Sequence, residues 1–396
     1  MTESTDNQMS GGNNKEIWKI INVLNLALVF AIAYSFASMQ ASGLVASDTG
    51  LHMSYIEQII EGTAYTHPLW HMGTHYLSVL AEVNYGTGSA LFTALLITLY
   101  AIVIYKVAQN LDDSPENEAK WYLVTMIALT IGPFFLVNYY SRIYMGSGSP
   151  SVWHNVTLLT VQPFALLSVF FTIKFFLSDK YKYFILAVVV TIVSIFAKPN
   201  FIIVFLPSLV VYILLKRYFG KRQLQFALIT ILLSVVILAF QFMSLQASNS
   251  KDGGSMIFDF LGVWSIYTPS VLVSIMMALG LPILITLANY KSIKENEYIK
   301  FTWLLVLFSL ILFACFAESG KRYSDGNFSW SWMISLSLIY IFTIIEYFKQ
   351  YFMMPGIVRY PLLGVILYQV YVGWYFVIGM FNGINFTQSV DNFPFF

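Results

Sequence analysis

Apolar blocks of roughly 17 to 23 residues recur along this 396-residue chain, and nothing else in the sequence restricts its fold as severely. A helix of that length crosses about 30 Å of hydrocarbon, whereas strands of a membrane barrel would alternate apolar and polar residues, which these blocks do not. Composition agrees: 58% of residues are hydrophobic and 10% are charged, against about a quarter charged in an ordinary soluble domain. Length alone would allow two or three soluble domains, but blocks spaced this evenly make one polytopic unit. The expected fold is therefore an all-α polytopic membrane protein with about 11 transmembrane helices. The spans fall at 17–38, 87–108, 121–140, 157–178, 183–197, 201–216, 224–246, 270–289, 300–317, 329–348 and 360–381. Residues 1–16 read as a disordered cytoplasmic tail, 17–381 as one transmembrane catalytic domain and 382–396 as an outer-side tail.

Orientation follows from the lysines and arginines of the short connections. With the N-terminus inside, the cytoplasmic side holds Lys15, Lys19, Lys106, Lys120, Lys180, Lys182, Lys216, Arg217, Lys221, Arg222, Lys291, Lys294, Lys300, Lys349 and Arg359. The opposite side holds only Arg142, Lys198, Lys251, Lys321 and Arg322. This puts the chain in the plasma (inner) membrane, with its C-terminus outside. The first apolar run is too long for a signal-peptide core and reads as an anchor. Net charge is +1, which gives no reason to expect nucleic acid as a partner, and the single Cys315 sets no disulfide framework.

The same orientation gathers the chain's chemistry outside. His52, His67, His71, His75 and His154 all fall there, with Asp48, Glu57, Glu61, Asp252, Asp259, Glu318 and Asp325. The first outer segment, 39–86, is far longer than a usual connection. It opens Ser47-Asp48-Thr49-Gly50-Leu51-His52, after which Leu51, Tyr55, Ile56, Ile59 and Ile60 recur at helical spacing until Gly62. That pattern predicts an amphipathic helix along the membrane surface. Asp48 and His52 share one face at its start, where Asp48 is either a plain N-cap or a carboxylate held at the water boundary.

Four further stretches carry candidate site residues. In His67-Pro68-Leu69-Trp70-His71-Met72-Gly73-Thr74-His75 the histidines stripe a helix begun by Pro68. The stripe covers about 12 Å, too far for three ligands on one ion, so a metal would use two of them. Otherwise they make a polar wall facing a hydrated cavity. Arg142 and the Gly/Ser-rich run after it lead to Trp153-His154-Asn155, a stacking surface beside hydrogen-bonding groups. Lys198 in Lys198-Pro199-Asn200 interrupts an apolar stretch, where a cation is costly and functional by default, so phosphate binding is its expected role. Glu318, Lys321 and Arg322 open a dense loop that reaches Trp330, with two adjacent cations able to clamp a phosphate.

Asp48 after the first span, the Asp-x-Gly-x-His run and the surface helix resemble the type C glycosyltransferases (GT-C). Trp153-His154-Asn155 and Lys198-Pro199-Asn200 resemble features of bacterial membrane enzymes that assemble envelope polysaccharide. The likeness covers mainly residues 17–216. It implies a transferase that takes a sugar from a polyprenyl-phosphate-type lipid-linked donor and gives it, with inversion, to an acceptor hydroxyl on a glycan or lipid-glycan. Asp48 maps onto the family's acidic residue, His52 would orient it, and Lys198, Arg142, Lys321 and Arg322 would meet the leaving phosphate. His71, His75, Trp153, His154, Asn155 and Glu318 would line the substrate site. No cofactor follows with certainty, although a divalent cation fits the family's chemistry. The chain lacks an Asp-Asp pair in that loop, a Trp-Trp-Asp motif and a large soluble C-terminal domain, which separates it from oligosaccharyltransferases. A polysaccharide polymerase and a flippase or transporter of lipid-linked glycan remain the alternatives; the second predicts discontinuous helices, of which the sequence shows no inverted pair. An assembly subunit without chemistry would leave the outward bias of the histidines unexplained.

Overall fold

A computed structural model describes residues 6–62, 67–112, 118–135, 146–248 and 255–382, the side chains of 6–19 and 245–248 excepted. Its longer helices are α1 (Asp6–Ala41), α2 (Thr49–Ile60), α3 (Leu69–Ala81), α4 (Tyr85–Leu111), α5 (Glu118–Thr130), α6 (Val156–Ser178), α7 (Tyr181–Ala197), α8 (Asn200–Lys216) and α9 (Lys221–Ser248). These are followed by α10 (Val271–Ala288), α11 (Glu297–Cys315), α12 (Ser329–Gln350) and α13 (Gly356–Phe381). Strands β1 (Met256–Phe258) and β2 (Phe316–Glu318) form one antiparallel pair, with Met256 opposite Glu318. Among the described residues, eight helices are long and apolar enough to cross a membrane: α1, α4, α6 and α9 to α13. Helices α7 and α8 are apolar but shorter, at 17 residues each.

Burial sorts these helices into an inner and an outer ring. The apolar window containing α12 is 89% buried and that of α6 is 83%, against 22% for α1 and 28% for α9. Helix α12 is therefore the axis of the bundle. Small polar residues let neighbours approach it closely, as at membrane-helix interfaces: Ser329, Ser331, Ser335 and Ser337 are all buried. Tyr340 donates to the Ala278 carbonyl at 3.0 Å and accepts from Gln369 Nε2 at 2.9 Å, which ties α12 to α10 and α13. Tyr100 and Ser337 hydroxyls meet at 2.8 Å, tying in α4. Beside them Gln162 and Trp153 help line a cavity of about 20 Å³, room for one water molecule.

The expected span 121–140 is not one continuous helix. Helix α5 ends at Thr130, and Ile131 to Phe135 leave helical form. Pro133 cannot donate a backbone hydrogen bond, and it disfavours helical geometry at Gly132 before it. Interrupted backbone in an apolar bundle is stable only where the protein satisfies it, and here distant segments supply partners to several of its groups. Gly132 N–H donates to the Gln369 carbonyl at 2.8 Å. The carbonyls of Leu129, Ile131 and Phe135 accept from Trp153 Nε1 at 3.2 Å, Ser151 Oγ at 2.7 Å and Tyr368 Oη at 2.6 Å. The backbones touch at Gly373, where a Cβ would stand 1.7 Å from the Thr130 carbonyl oxygen. Consequently the stretch from Gly146 to Asn155, read in the sequence as an open outer loop, is buried in the bundle at every residue but Ser151. Its apolar flanks made the break invisible to a span count.

At the end of the bundle reached by Ala41, Ala197 and Ser329, α2 and α3 cover the helix ends. Helix α2 stops where Gly62 adopts φ +81°, a left-handed conformation that favours glycine. It turns Thr49, His52 and Ile56 inward, while Leu51 and Ile60 face out. At the other end Glu297 accepts from Lys216 at 2.6 Å, Lys300 at 2.7 Å and Tyr212 at 2.9 Å. Nearby Glu346, buried, accepts from Ser292, from Asn296 at 3.0 Å and from Gln350 at 3.2 Å.

Candidate functional site

Asp48 occupies the N-cap position of α2, yet its side chain makes no capping hydrogen bond. Its Oδ2 instead accepts a hydrogen bond from Asn155 Nδ2 and faces His52 Nε2 at 3.5 Å, one helical turn on. Oδ1 is buried and has no hydrogen-bond partner among the described residues. Two readings of this aspartate, cap or held carboxylate, were open in the sequence. The geometry removes the cap.

Asn155 joins this carboxylate to a cation. It caps α6, accepting from Leu158 N–H at 2.8 Å, and the same Oδ1 accepts from Lys198 Nζ at 3.3 Å. Lys198 lies between α7 and α8, 5% exposed, and also donates to Thr157 Oγ1 at 2.7 Å. Its ammonium stands 5.0 Å from the centre of the Trp330 ring, within range of a cation–π attraction. His154 lies 6.0 Å from that ring, and its carbonyl accepts from Asp48 N–H at 3.5 Å. On the other flank His52 Nδ1 meets His71 Nε2 at 3.1 Å, with Trp70 packed 6.0 Å from the His52 ring.

Burial and charge fix the protonation states. Burial alone raises the Asp48 carboxyl, but the hydrogen bond and charge of His52, with His154 and Lys198 behind it, outweigh this and hold it below the usual carboxylate range. Burial lowers Lys198 to about 8, Asp48 opposing and Arg322 adding to the shift. Burial takes His154 to about 4, against the pull of Asp48. His71 falls to about 3 through burial and the neighbouring His52, and His67 lies well below its ordinary value through burial, then Lys198. At neutral pH the pocket thus contains an ionised carboxylate, an ammonium and, at His67, His71 and His154, neutral imidazoles.

The remaining sequence candidates are distributed around this cluster. His75 stands apart, its Nδ1 3.0 Å from the Tyr85 hydroxyl. Trp153 is packed edge-on against Phe36 and spends its N–H on Leu129, so it is a wall of the bundle rather than an open stacking face. Arg322 pairs with Glu318 at 3.4 Å and Asp325 at 3.5 Å on an exposed loop. Glu318 accepts from Asn327 Nδ2 at 2.6 Å, and the Asn327 carbonyl accepts from Asn200 Nδ2 at 2.9 Å, which links that loop to the Lys198 turn. Lys321 is exposed on the same loop. Arg142 lies outside the described residues. Two participants escaped sequence reasoning, Thr157 and Trp330. Thr157 follows Asn155 by two, the spacing of a helix start, which was its one visible signal; nothing local marks Trp330. Among the described residues, no group of three or more His, Cys, Asp and Glu side chains is arranged to hold a metal ion.

No protein-family model matches this sequence, and no curated protein matches it.

Proposed function

We propose that this chain is a multi-pass glycosyltransferase with a GT-C-like plan of about eleven crossings, N-terminus in the cytoplasm and α2 along the outer membrane surface. It transfers a sugar, with inversion, from a polyprenyl-phosphate-type donor to an acceptor hydroxyl in envelope glycan assembly. One observation carries this reading: Asn155 bridges a buried ammonium and an ionised carboxylate, donating to Asp48 and accepting from Lys198. Glycosyl transfer needs that combination. A carboxylate takes the proton of the attacking hydroxyl, while a fixed cation neutralises the phosphate that departs from the opposite face of the sugar. His154, Asn155 and Trp330 would orient the sugar between them, and Arg322 at the loop would add long-range positive potential. The test is direct: purified full chain in nanodiscs, given a polyprenyl-phosphate-linked sugar and a glycan acceptor, should form the inverted glycoside. Absence of product across donors of differing sugar, with the donor still bound, would count against it.

A second reading is favoured by a specific observation, the interruption of α5 at Thr130 with its backbone satisfied from α13. Broken helices support ion and substrate sites in transporters, so a flippase of lipid-linked glycan is the alternative. Reorientation of a fluorescent lipid-linked glycan across sealed vesicles, unaffected by Asp48→Asn, would favour it.

A further inference from the structure

At the end of the bundle opposite the Asp48 cluster, the turn between α12 and α13 projects apolar side chains further than the sides of the peripheral helices do. Phe352, Met353 and Ile357 are 85%, 81% and 86% exposed, against at most 67% for the large apolar residues of α9 and 68% for those of α10. The turn is nonetheless fastened to the bundle. Met354 is buried, the N–H groups of Met353 and Met354 donate to the Gln350 carbonyl at 2.9 and 3.1 Å, and Tyr347 Oη donates to the Arg359 carbonyl at 2.9 Å. Four cations stand around it. Gln350 Nε2 donates to Ser292 Oγ at 3.2 Å, which brings in the short helical turn Tyr290–Ile293 with exposed Lys291 and Lys294. Lys349 closes α12, and the Arg359 guanidinium lies 4.9 and 4.7 Å from the ring centres of Tyr351 and Tyr360. Among the described residues none of the four is in an ion pair; exposed Glu295 offsets one of them, while Glu297 and Glu346 are taken up by the contacts given above.

We propose that this turn is a docking surface for anionic lipid: Phe352, Met353 and Ile357 enter the acyl boundary while Lys291, Lys294, Lys349 and Arg359 meet headgroup phosphates. Depth supports this. The 26 residues of α13 extend about 39 Å, about 9 Å more than the hydrocarbon layer. Its only charged residue, Arg359, lies in its first turn, so that end is the one among the headgroups. Charge selects the occupant. Apolar tips with a cationic margin complement a surface whose acyl chains take the first and whose phosphates take the second. A second copy of the chain fits poorly, because a two-fold contact would set the four cations against their own equivalents. Since the turn is bound to α12, lipid held there fixes the depth of the axis of the bundle, whatever chemistry occurs at the Asp48 end.

The experiment has two arms, both on the full chain. In the first, a Cys315→Ser, Met353→Cys protein with the fluorophore NBD on the new cysteine is placed in vesicles of phosphatidylcholine and phosphatidylglycerol. The fluorescence should be quenched by doxyl-labelled lipid and shielded from the water-borne quencher acrylamide. In the second, native mass spectrometry compares retention of phosphatidylglycerol and phosphatidylcholine from mixed micelles. Phosphatidylglycerol should bind more tightly, and Lys291→Gln with Lys294→Gln, two exposed changes away from the core, should weaken it by about fivefold per charge while phosphatidylcholine is unaffected. Quenching by acrylamide and not by lipid would place the turn in water and overturn the proposal. Shielding from both quenchers, with or without self-quenching between copies, would mean that protein covers it and would overturn it equally. Equal retention of the two lipids, or retention unchanged in the double variant, would deny the part played by charge and with it the anionic occupant.

Discussion

Lys198 directs its ammonium at the hydroxyl of Thr157, 2.7 Å away, and that hydroxyl in turn donates to Asn155 Oδ1 at 3.0 Å. The buried cation is thus held by neutral groups, with its nearest acid, Asp48, one amide away. A buried charge relies on every such bond. Thr157→Val should therefore lower stability by about 1.5–3 kcal/mol, the scale of a hydrogen bond to a charged group. Lys198→Met should cancel much of that loss, since the valine then leaves no charge unpaired. Unfolding of the two single variants and the double variant in detergent measures the coupling; simple additivity would show that the two residues do not act together.

Asp48→Asn separates electrostatics from shape. Asp48 makes no cap bond to lose, and an asparagine oxygen can still accept from Asn155. The variant should fold and bind donor but turn over about 10²- to 10⁴-fold more slowly, the usual contribution of a general base. Steady-state turnover, beside donor binding measured separately, decides it. Near-parental turnover would move the base elsewhere.

Two pH responses follow from burial. Lys198 is lowered from 10.5 to about 8, so the unfolded chain binds the extra proton between those values. The cost of burying its charge is complete below about pH 8 and is relieved as pH rises toward 10.5, by about 3 kcal/mol in all. Donor affinity should move oppositely, weakening above about pH 8 as the ammonium is lost. His154, lowered from 6.5 to about 4, costs stability as pH falls through that window, because only the unfolded chain gains the proton. Lys198→Met should abolish the alkaline effect, and His154→Gln should reduce the acidic one, to which buried His71 and His67 also contribute, each read from unfolding midpoints across pH.

Gly373→Ala should separate α13 from the end of α5. The new Cβ would stand 1.7 Å from the Thr130 carbonyl oxygen, which is backbone and cannot rotate away. Overpacking costs about 1–3 kcal/mol where side chains can yield, so the loss here should reach or exceed the top of that range. Gly364→Ala on the same helix meets nothing within 4 Å and serves as the control. Equal melting temperatures for the two variants would deny the contact.

Orientation is open to labelling in a Cys315→Ser background. Glu61→Cys should react with an impermeant maleimide on intact cells, whereas Lys294→Cys should react only after permeabilisation. Reversal of the pair would put the Asp48 cluster on the cytoplasmic side.

Helical class and apolar crossings were legible in the sequence, because hydrocarbon requires long apolar runs. So was the pairing of Asp48 with His52, since four residues make one helical turn. Other features depend on contacts between distant segments. Gly132-Pro133 was the only local sign that α5 breaks, and its stability comes from Trp153, Ser151 and α13, far away in the chain. For the same reason Trp153 and His154, adjacent in sequence, part company: one seals the bundle and the other enters the pocket. Whether Asp48 caps a helix or waits as a carboxylate was undecidable from residue type, because both roles need an oxygen at one position. Asn155, more than a hundred residues on, decides it by taking that oxygen for itself and presenting its other end to Lys198. Periodicity is a property of neighbours along the chain, and a site is a property of neighbours in space; tertiary packing alone converts the one into the other.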